Sequence, residues 1–263
     1  MNASRPASHP ASRLPTRPEG CTAEEWQVRV DLAAAYRLVA LHGWDDLIFT
    51  HLSARVPGPE HHFLINPYGA LFEEITASSL VKIDTAGRPV DDPTAAVNPA
   101  GFIIHSAVHL AREDAKCVMH LHTEAGQAVS AQAHGLLPLT QTAMAVCADV
   151  AYHDFEGIAS DLEERERIVK DLGPRCCMIL RNHGTLTVGE TVADAFLRLH
   201  FLERACAAQV AALAGGAEPN PPPPGTAEKT AALAGAGLPG IGRALAWPAL
   251  LRRLDRVDPS YRS

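Results

Sequence analysis

The sequence has 263 residues, of which 47% are hydrophobic and 20% are charged, and its formal net charge is −7. This balance is typical of globular proteins and excludes wholesale disorder. A mildly acidic chain offers no electrostatic footprint for nucleic acid or an anionic membrane, and no apolar run approaches the roughly 20 residues that span a bilayer. We therefore expect a soluble globular protein with enough apolar material for a core.

The first predicted helix begins at Thr22, where Thr22 and Glu25 fit a capping box, and it continues through Leu41. Beyond it we predict strands over 47–55 and 62–66, a hairpin over 80–88, a helix over 102–112, a strand over 117–122, a helix over 124–132, an extended stretch from 136, a strand over 150–153, a charged helix over 162–172, a strand over 178–181 and a long helix from 191 to about 213. Together these elements predict one domain over residues 22–214.

The two ends of the chain differ from this domain in composition. Residues 1–20 are rich in arginine and proline without the apolar stretch of a secretory signal, which predicts a flexible leader over 1–21. Proline and glycine dominate 215–225 and predict an extended linker. The tail over 226–263 contains an amphipathic piece too short to fold alone, so we expect it to pack on the main body or on a neighbouring subunit.

Six cysteines are scattered along the chain, and none forms a C-x-x-C pair. They are too few for a disulfide scaffold in a chain of this length. The pattern predicts reduced thiols in a cytoplasmic protein.

A histidine pattern carries the clearest chemical signal. In His120-Leu121-His122, side chains at i and i+2 leave the same face of a strand, so both imidazoles can bind one ion. Histidines spaced in this way are as often packed or exposed, but His183 follows another predicted buried strand. Three histidines leave an open coordination position, as in catalytic zinc sites and some non-haem iron sites. We predict a divalent-metal site formed by these three residues.

Several ordered motifs resemble the class II aldolase/adducin family. They are NPAGF at 98–102, HSAVH at 105–109, HLHT at 120–123 and RNHG at 181–184, supported by THLSAR at 50–55, FLINPYG at 63–69 and ITASSL at 75–80. The closing DPSYRS at 258–263 resembles the bacterial adducin-like branch of the family.

This resemblance implies an α/β fold, a three-layer α/β/α sandwich with a mostly antiparallel central sheet, usually assembled as a homotetramer. In the family's aldolases, the histidines that match His120, His122 and His183 hold a divalent metal, usually zinc, and for this chain we expect Zn²⁺, with Fe²⁺ and Mn²⁺ as alternatives. That metal chelates a hydroxy-ketone unit and stabilises the enediolate formed when a carbon–carbon bond breaks. The implied partner is a small-molecule substrate, and neither nucleic acid nor membrane is expected.

The sequence departs from the sugar-phosphate aldolases on the substrate side. Gly101 occupies the position of their acid/base glutamate and has no side chain to carry a proton. Pro99 and Ala100 replace two phosphate-binding serines, and the phosphate-cradling turn keeps only Gly69. The usual aldolase mechanism therefore cannot operate unchanged.

Two further histidines complete the candidate site. His51 occupies a position where the sugar-phosphate aldolases usually have an asparagine, and we group it with Gly69 and Gly101 as substrate-binding positions. His105, one helical turn from Gly101, is the candidate catalytic acid or base, although a histidine completing a hydrogen-bond network on the helix face explains it equally well. His109, one turn further, is interpreted as structural or exposed.

Three functions remain open from the sequence. The first is a metal-dependent, lyase-type enzyme acting on a small carbonyl or hydroxy-carbonyl compound. The second is a non-haem iron oxygenase on the same scaffold, and the third is a non-catalytic assembly module like the adducin head. Retention of all three histidines favours an enzyme, because an assembly module has no need of an open metal site.

Overall fold

A computed structural model describes residues 17–157, 163–216 and 218–263, with the side chains of 99–103 and 238–239 left out of the description. Within these ranges the strands are β1 (His51–Arg55), β2 (Phe63–Ile65), β3 (Val81–Ile83), β4 (Cys117–Leu121), β5 (Val150–His153), β6 (Cys177–Leu180) and β7 (Gly184–Gly189). The helices are α1 (Ala23–Leu41), α2 (Pro99–Ala111), α3 (Glu124–Ser130), α4 (Gln141–Val146), α5 (Glu164–Leu172), α6 (Val192–Leu213), α7 (Thr226–Ile241) and α8 (Trp247–Val257).

The seven strands form one sheet in the order β3-β2-β1-β4-β7-β6-β5. Neighbouring strands are antiparallel except β5 and β6, which are parallel, so the sheet is mixed. The expectation of a mostly antiparallel sheet therefore holds for every pairing but one.

Helices cover both faces of the sheet because successive strand residues point to opposite sides. Along β4, Cys117, Met119 and Leu121 pack in a core with α1 and α6, whereas Val118 packs in a second core with residues of α2 and α5. This alternation gives three layers. It also places His120 on the same face as Val118, towards α2.

The capping box at the first helix is only half formed. The Thr22 hydroxyl accepts a hydrogen bond from the Glu25 backbone N–H at 3.1 Å, as predicted. The Glu25 carboxylate does not return to Thr22. It forms ion pairs with Arg29 at 2.8 Å and Lys82 at 3.0 Å, because a buried carboxylate is stabilised more by two cations than by one backbone donor.

The predicted strand over 47–55 is shorter than expected, since β1 begins only at His51. Leu47 and Thr50 have φ of 52° and 63°, and the Phe49 N–H donates to the Asp46 carbonyl at 2.8 Å. These values belong to a tight turn rather than to extended backbone. The turn holds Asp46 next to the strand ends that carry the histidines.

Three elements were absent from the sequence-based prediction. Strand β7 follows His183 directly, helix α4 lies inside the stretch expected to be extended, and helix α7 lies in the tail. The sequence of β7, GTLTVG, alternates threonine with leucine and valine between two glycines, a strand-like pattern that the sequence-based prediction did not include.

The C-terminal end packs on α1. Tyr261 is fully buried, and its carbonyl accepts a hydrogen bond from Ala77 at 2.9 Å. The Trp247 indole donates to Asp31 of α1, also at 2.9 Å. Most of the predicted leader falls on residues 1–16, which lie outside the described ranges. Over the described helices, none combines the length and apolar character needed to cross a membrane.

Candidate metal and substrate site

The three predicted ligand histidines converge. Their ring centroids lie 4.8 Å apart for His120 and His122, 4.7 Å for His120 and His183, and 4.8 Å for His122 and His183. One nitrogen from each ring lies within 4.8 Å of the others. His120 and His122 come from the end of β4 and His183 from the turn between β6 and β7, so two antiparallel neighbours of one sheet supply the cluster.

Hydrogen bonds fix which nitrogen of the His120 and His122 rings faces the cluster. His120 Nδ1 lies 2.9 Å from the Thr185 carbonyl, and His122 Nδ1 lies 3.1 Å from the Asp46 carboxylate. Both oxygens only accept, so each Nδ1 carries the proton and each Nε2 presents a lone pair.

The two Nε2 atoms, one from His120 and one from His122, are only 3.0 Å apart. At that separation the two nitrogens share either a proton, with one ring donating to the other, or a cation that both lone pairs bind. Tetrahedral zinc with Zn–N bonds of about 2.0–2.1 Å would hold its nitrogens roughly 3.3 Å apart. The donor set therefore fits a divalent cation, with little movement needed to receive it.

The backbone of the RNHG motif is shaped for this cluster. Asn182 has φ of 55°, a conformation that asparagine tolerates better than most residues. The His183 N–H donates to the Ser130 hydroxyl at 3.1 Å. A Cβ on Gly184 would lie 2.3 Å from the Leu121 carbonyl oxygen, so only glycine permits β7 to approach β4 this closely.

A buried carboxyl group supports the site from α6. The hydroxyls of Thr123 and Thr185 both donate hydrogen bonds to Glu203, whose pKa is raised by burial. Thr123 follows His122, and the Thr185 carbonyl accepts a hydrogen bond from His120 Nδ1. Sequence reasoning missed Glu203, although its spacing from the buried Leu199 places a charged residue on the apolar stripe of α6.

The structure places the other two candidate histidines beside the cluster. His51 is paired with His120 across β1 and β4, and their rings lie 6.4 Å apart. The His105 ring from α2 stacks on His51 at 5.1 Å, with an interplanar angle of 5°. Both are buried, and burial lowers the pKa of His51 to about 4 and that of His105 well below 6.5.

The two predicted glycine positions are not joined to this cluster by any contact in the described part of the chain. Gly69 lies in the turn after β2 with φ of 102°, and a Cβ there would meet nothing within 4 Å. Gly101 lies in the first turn of α2, and the surroundings of residues 99–103 fall outside the description. Their roles in substrate binding stay predictions.

An open groove of about 590 Å³ lies beside the turn that carries His183, although none of the three histidines lines it. It is lined by Asn182, the residue before His183, and by Phe155. The Phe155 ring lies 6.1 Å from the His183 ring and is 51% exposed.

Comparison with known proteins decides the family. The family model described as the class II aldolase and adducin N-terminal domain matches residues 30–210. The chain belongs to the class II aldolase and adducin family. A Caulobacter vibrioides protein that carries an aldolase class 2 name is 62% identical over 238 residues, which cover 90% of this chain and 92% of that protein.

Other relatives include proteins named as aldolases and a protein named as an adducin. An aldolase II superfamily protein from Pseudomonas syringae is 53% identical, with a TM-score of 0.89 over 93% of this chain and 98% of its own. L-fuculose 1-phosphate aldolase from Glaciozyma antarctica is 29% identical, with a TM-score of 0.79 over 95% and 97%. Mouse alpha-adducin is 50% identical over 73% of this chain, which corresponds to 26% of adducin.

Proposed function

We propose that the protein is a metal-dependent class II aldolase-type enzyme of the carbon–carbon lyase kind, acting on a small carbonyl or hydroxy-carbonyl substrate. The observation that carries the proposal is the lone-pair geometry of the triad: Nε2 of His120 and Nε2 of His122 lie 3.0 Å apart, with both Nδ1 atoms engaged by acceptors. Zn²⁺ is the ion that an all-imidazole site with an open position suits best, with Fe²⁺ and Mn²⁺ as alternatives.

In this proposal His120, His122 and His183 hold the cation. A bound divalent metal supplies a Lewis acid that polarises a substrate carbonyl. Asp46 and the Thr185 carbonyl keep the first two rings in the tautomer that ligation requires. Because Gly101 cannot carry a proton, a proton at the reacting carbon must move to another group, and His105 is the candidate that the chain offers.

A second candidate function is supported by the comparisons. Alpha-adducin shares more identity with this chain than the fuculose aldolase does, and Gly101 removes the acid/base glutamate of the aldolases. An adducin-like assembly module would need no turnover and no metal. The two candidates differ in whether metal-loaded protein activates a carbon–hydrogen bond next to a carbonyl.

Exchange of substrate hydrogen for solvent deuterium tests this difference without knowledge of the full substrate. Metal-loaded protein is incubated in D₂O with hydroxyacetone, dihydroxyacetone or dihydroxyacetone phosphate, and exchange at the carbon next to the carbonyl is followed by NMR. We expect exchange above the background rate with at least one compound, loss of it in His120→Ala, and retention in His134→Ala, whose exposed ring contacts only the neighbouring Gly135 carbonyl. Metal-loaded protein without exchange would favour the assembly module.

We further propose that the protein is a cytoplasmic homo-oligomer, with a tetramer as the family expectation. Leu47, Phe49 and Phe155 are exposed by 65%, 44% and 51%; Leu47 and Phe49 lie in the turn that starts at Asp46, and the Phe155 ring lies 6.1 Å from the His183 ring. A neighbouring subunit that covered them would also close the site on one side. The six cysteines are all unpaired, which suits a reducing compartment. Light scattering coupled to size-exclusion chromatography measures the oligomeric state, and a monomer would refute the proposal.

A further inference from the structure

A continuous chain of buried hydrogen bonds connects α2, β1 and the start of β4. His109 Nδ1 lies 2.7 Å from the Ala115 carbonyl, and His109 Nε2 lies 2.8 Å from the Ser53 hydroxyl. The same hydroxyl lies 2.6 Å from His105 Nδ1. Ser53, His105 and His109 are each buried to 98% or 99%, so these groups have little water to serve as an alternative partner.

The position of every proton in this series of hydrogen bonds follows from the bond to the Ala115 carbonyl. The Ala115 carbonyl only accepts, so the proton of His109 is on Nδ1. Burial lowers the pKa of His109 to about 3, which leaves its Nε2 as an acceptor. Ser53 therefore donates its hydroxyl hydrogen to His109 and accepts from His105 Nδ1. The neutral His105 ring then carries its proton on Nδ1 and a bare lone pair on Nε2.

That lone pair has no partner within the described ranges. His105 Nε2, both ring nitrogens of His51 and the Thr50 hydroxyl are buried polar atoms without a well-formed hydrogen bond there, although the Thr50 backbone interacts with the His51 ring. Leaving a buried polar group unsatisfied costs about 1–3 kcal/mol, so four such atoms in adjoining side chains indicate a place built to receive polar atoms. A neutral His51 can offer one N–H donor and one acceptor.

We propose that His51 and His105 form a subsite for a neutral hydroxyl group of the substrate, one that donates to His105 Nε2 and accepts from His51, and that Ser53 and His109 are positioning residues for it. This deepens the proposed function by assigning the substrate class: an unphosphorylated hydroxy-carbonyl compound. An ionised carboxylate only accepts and would face the lone pair of His105. The ionisable groups that influence the pKa values of His51 and His105 are themselves histidines, so no cation compensates.

Nitrogen NMR of protein labelled with ¹⁵N-histidine reads the tautomer directly. The His105 signals are assigned by their loss in His105→Asn, and the protein is studied as purified at neutral pH. We expect an unprotonated Nε2 and a protonated Nδ1 in His105 of the wild type. A protonated Nε2 there would overturn the proposal.

Titration with defined probes then tests the subsite. Dihydroxyacetone should shift the His105 Nε2 signal, whereas acetate, which has no hydrogen-bond donor at neutral pH, should leave it unchanged. Ser53→Ala should weaken dihydroxyacetone binding about tenfold and release His105 to a mixture of tautomers, while the exposed Ser78→Ala should change neither.

Two outcomes of the titration would overturn the proposal. The first is a shift of the His105 Nε2 signal by acetate. The second is an unchanged His105 signal throughout, which would mean that a buried water in the 10 Å³ cavity beside Ser53 and His105 is its partner. Because the tautomer and the binding are read without turnover or metal content, failure of the proposed lyase activity would leave them unaffected, and their failure would leave the metal triad intact.

Discussion

Replacement of Glu203 should weaken both the fold and the metal site. The Glu203 carboxyl accepts hydrogen bonds from the Thr123 and Thr185 hydroxyls, and it is 2% exposed. Glu203→Ala leaves two buried hydroxyls without this partner, at about 1–3 kcal/mol each, and opens a cavity. We expect the free energy of unfolding to fall by about 3–5 kcal/mol. Glu203→Gln keeps the shape and one acceptor oxygen, so its cost should be about 1–2 kcal/mol.

Glu203→Ala should also lower the affinity for metal, because both threonines adjoin candidate metal ligands. Thr123 follows His122, and the Thr185 carbonyl lies 2.9 Å from His120 Nδ1. Loss of such supporting contacts typically reduces metal affinity by about 10–100-fold. Urea unfolding measures the first effect and competition with a zinc chelator the second, with the exposed Glu166→Ala as control. A Glu203→Ala protein within about 0.5 kcal/mol of wild type, with unchanged zinc affinity, would refute the reasoning.

The pH dependence gives an independent check. Burial raises the pKa of Glu203 above its ordinary value of 4.5, so the native state favours the protonated carboxyl. The contribution of this group to stability is complete below pH 4.5 and is lost as the pH rises through its native pKa. Glu203→Gln cannot titrate, so the stability difference between the two proteins should shrink as the pH rises over that interval.

Further predictions concern other parts of the chain. Gly184→Ala should abolish metal binding, measured by elemental analysis, because its Cβ would lie 2.3 Å from the Leu121 carbonyl; full metal content would contradict this. Tyr261→Ala should lower the free energy of unfolding by about 3–5 kcal/mol, and Tyr68→Ala, 42% exposed, by less than about 1 kcal/mol; equal losses would contradict the packing of the tail. His109 has its pKa lowered from 6.5 to about 3, so its stability contribution is present above pH 6.5 and is lost as the pH falls towards 3. Unfolding of metal-free wild type should therefore lose up to about 2 kcal/mol more between pH 7.5 and 5 than His109→Gln, and parallel curves would contradict this.

The sequence predicts the histidine cluster because most of its signal is local. The spacing of His120 and His122 follows from strand geometry, and both rings meet His183 as expected. The family resemblance is confirmed by the match over residues 30–210, and it also supplied the layered fold. The single parallel pairing, β5 with β6, depends on the path of the connecting chain, which periodicity does not reveal.

The supporting groups could not be predicted because their contacts are long-range. Asp46 reaches His122 across 76 positions through a turn with left-handed residues, and no local pattern announces it. Thr123 meets Glu203 across 80 positions. Ser53 bridges two histidines of α2 only because β1 packs beneath that helix. His109 is interpreted from the sequence as structural or exposed, and its burial within this series of hydrogen bonds excludes the second alternative.

X-ray absorption spectroscopy of zinc-loaded protein tests the central claim most directly. We expect one zinc per chain, bound by three imidazole nitrogens at about 2.0–2.1 Å and at least one oxygen from solvent. His183→Ala should lose one imidazole from this shell. Substoichiometric zinc, or a shell without histidine, would contradict the assignment of the triad as a metal site.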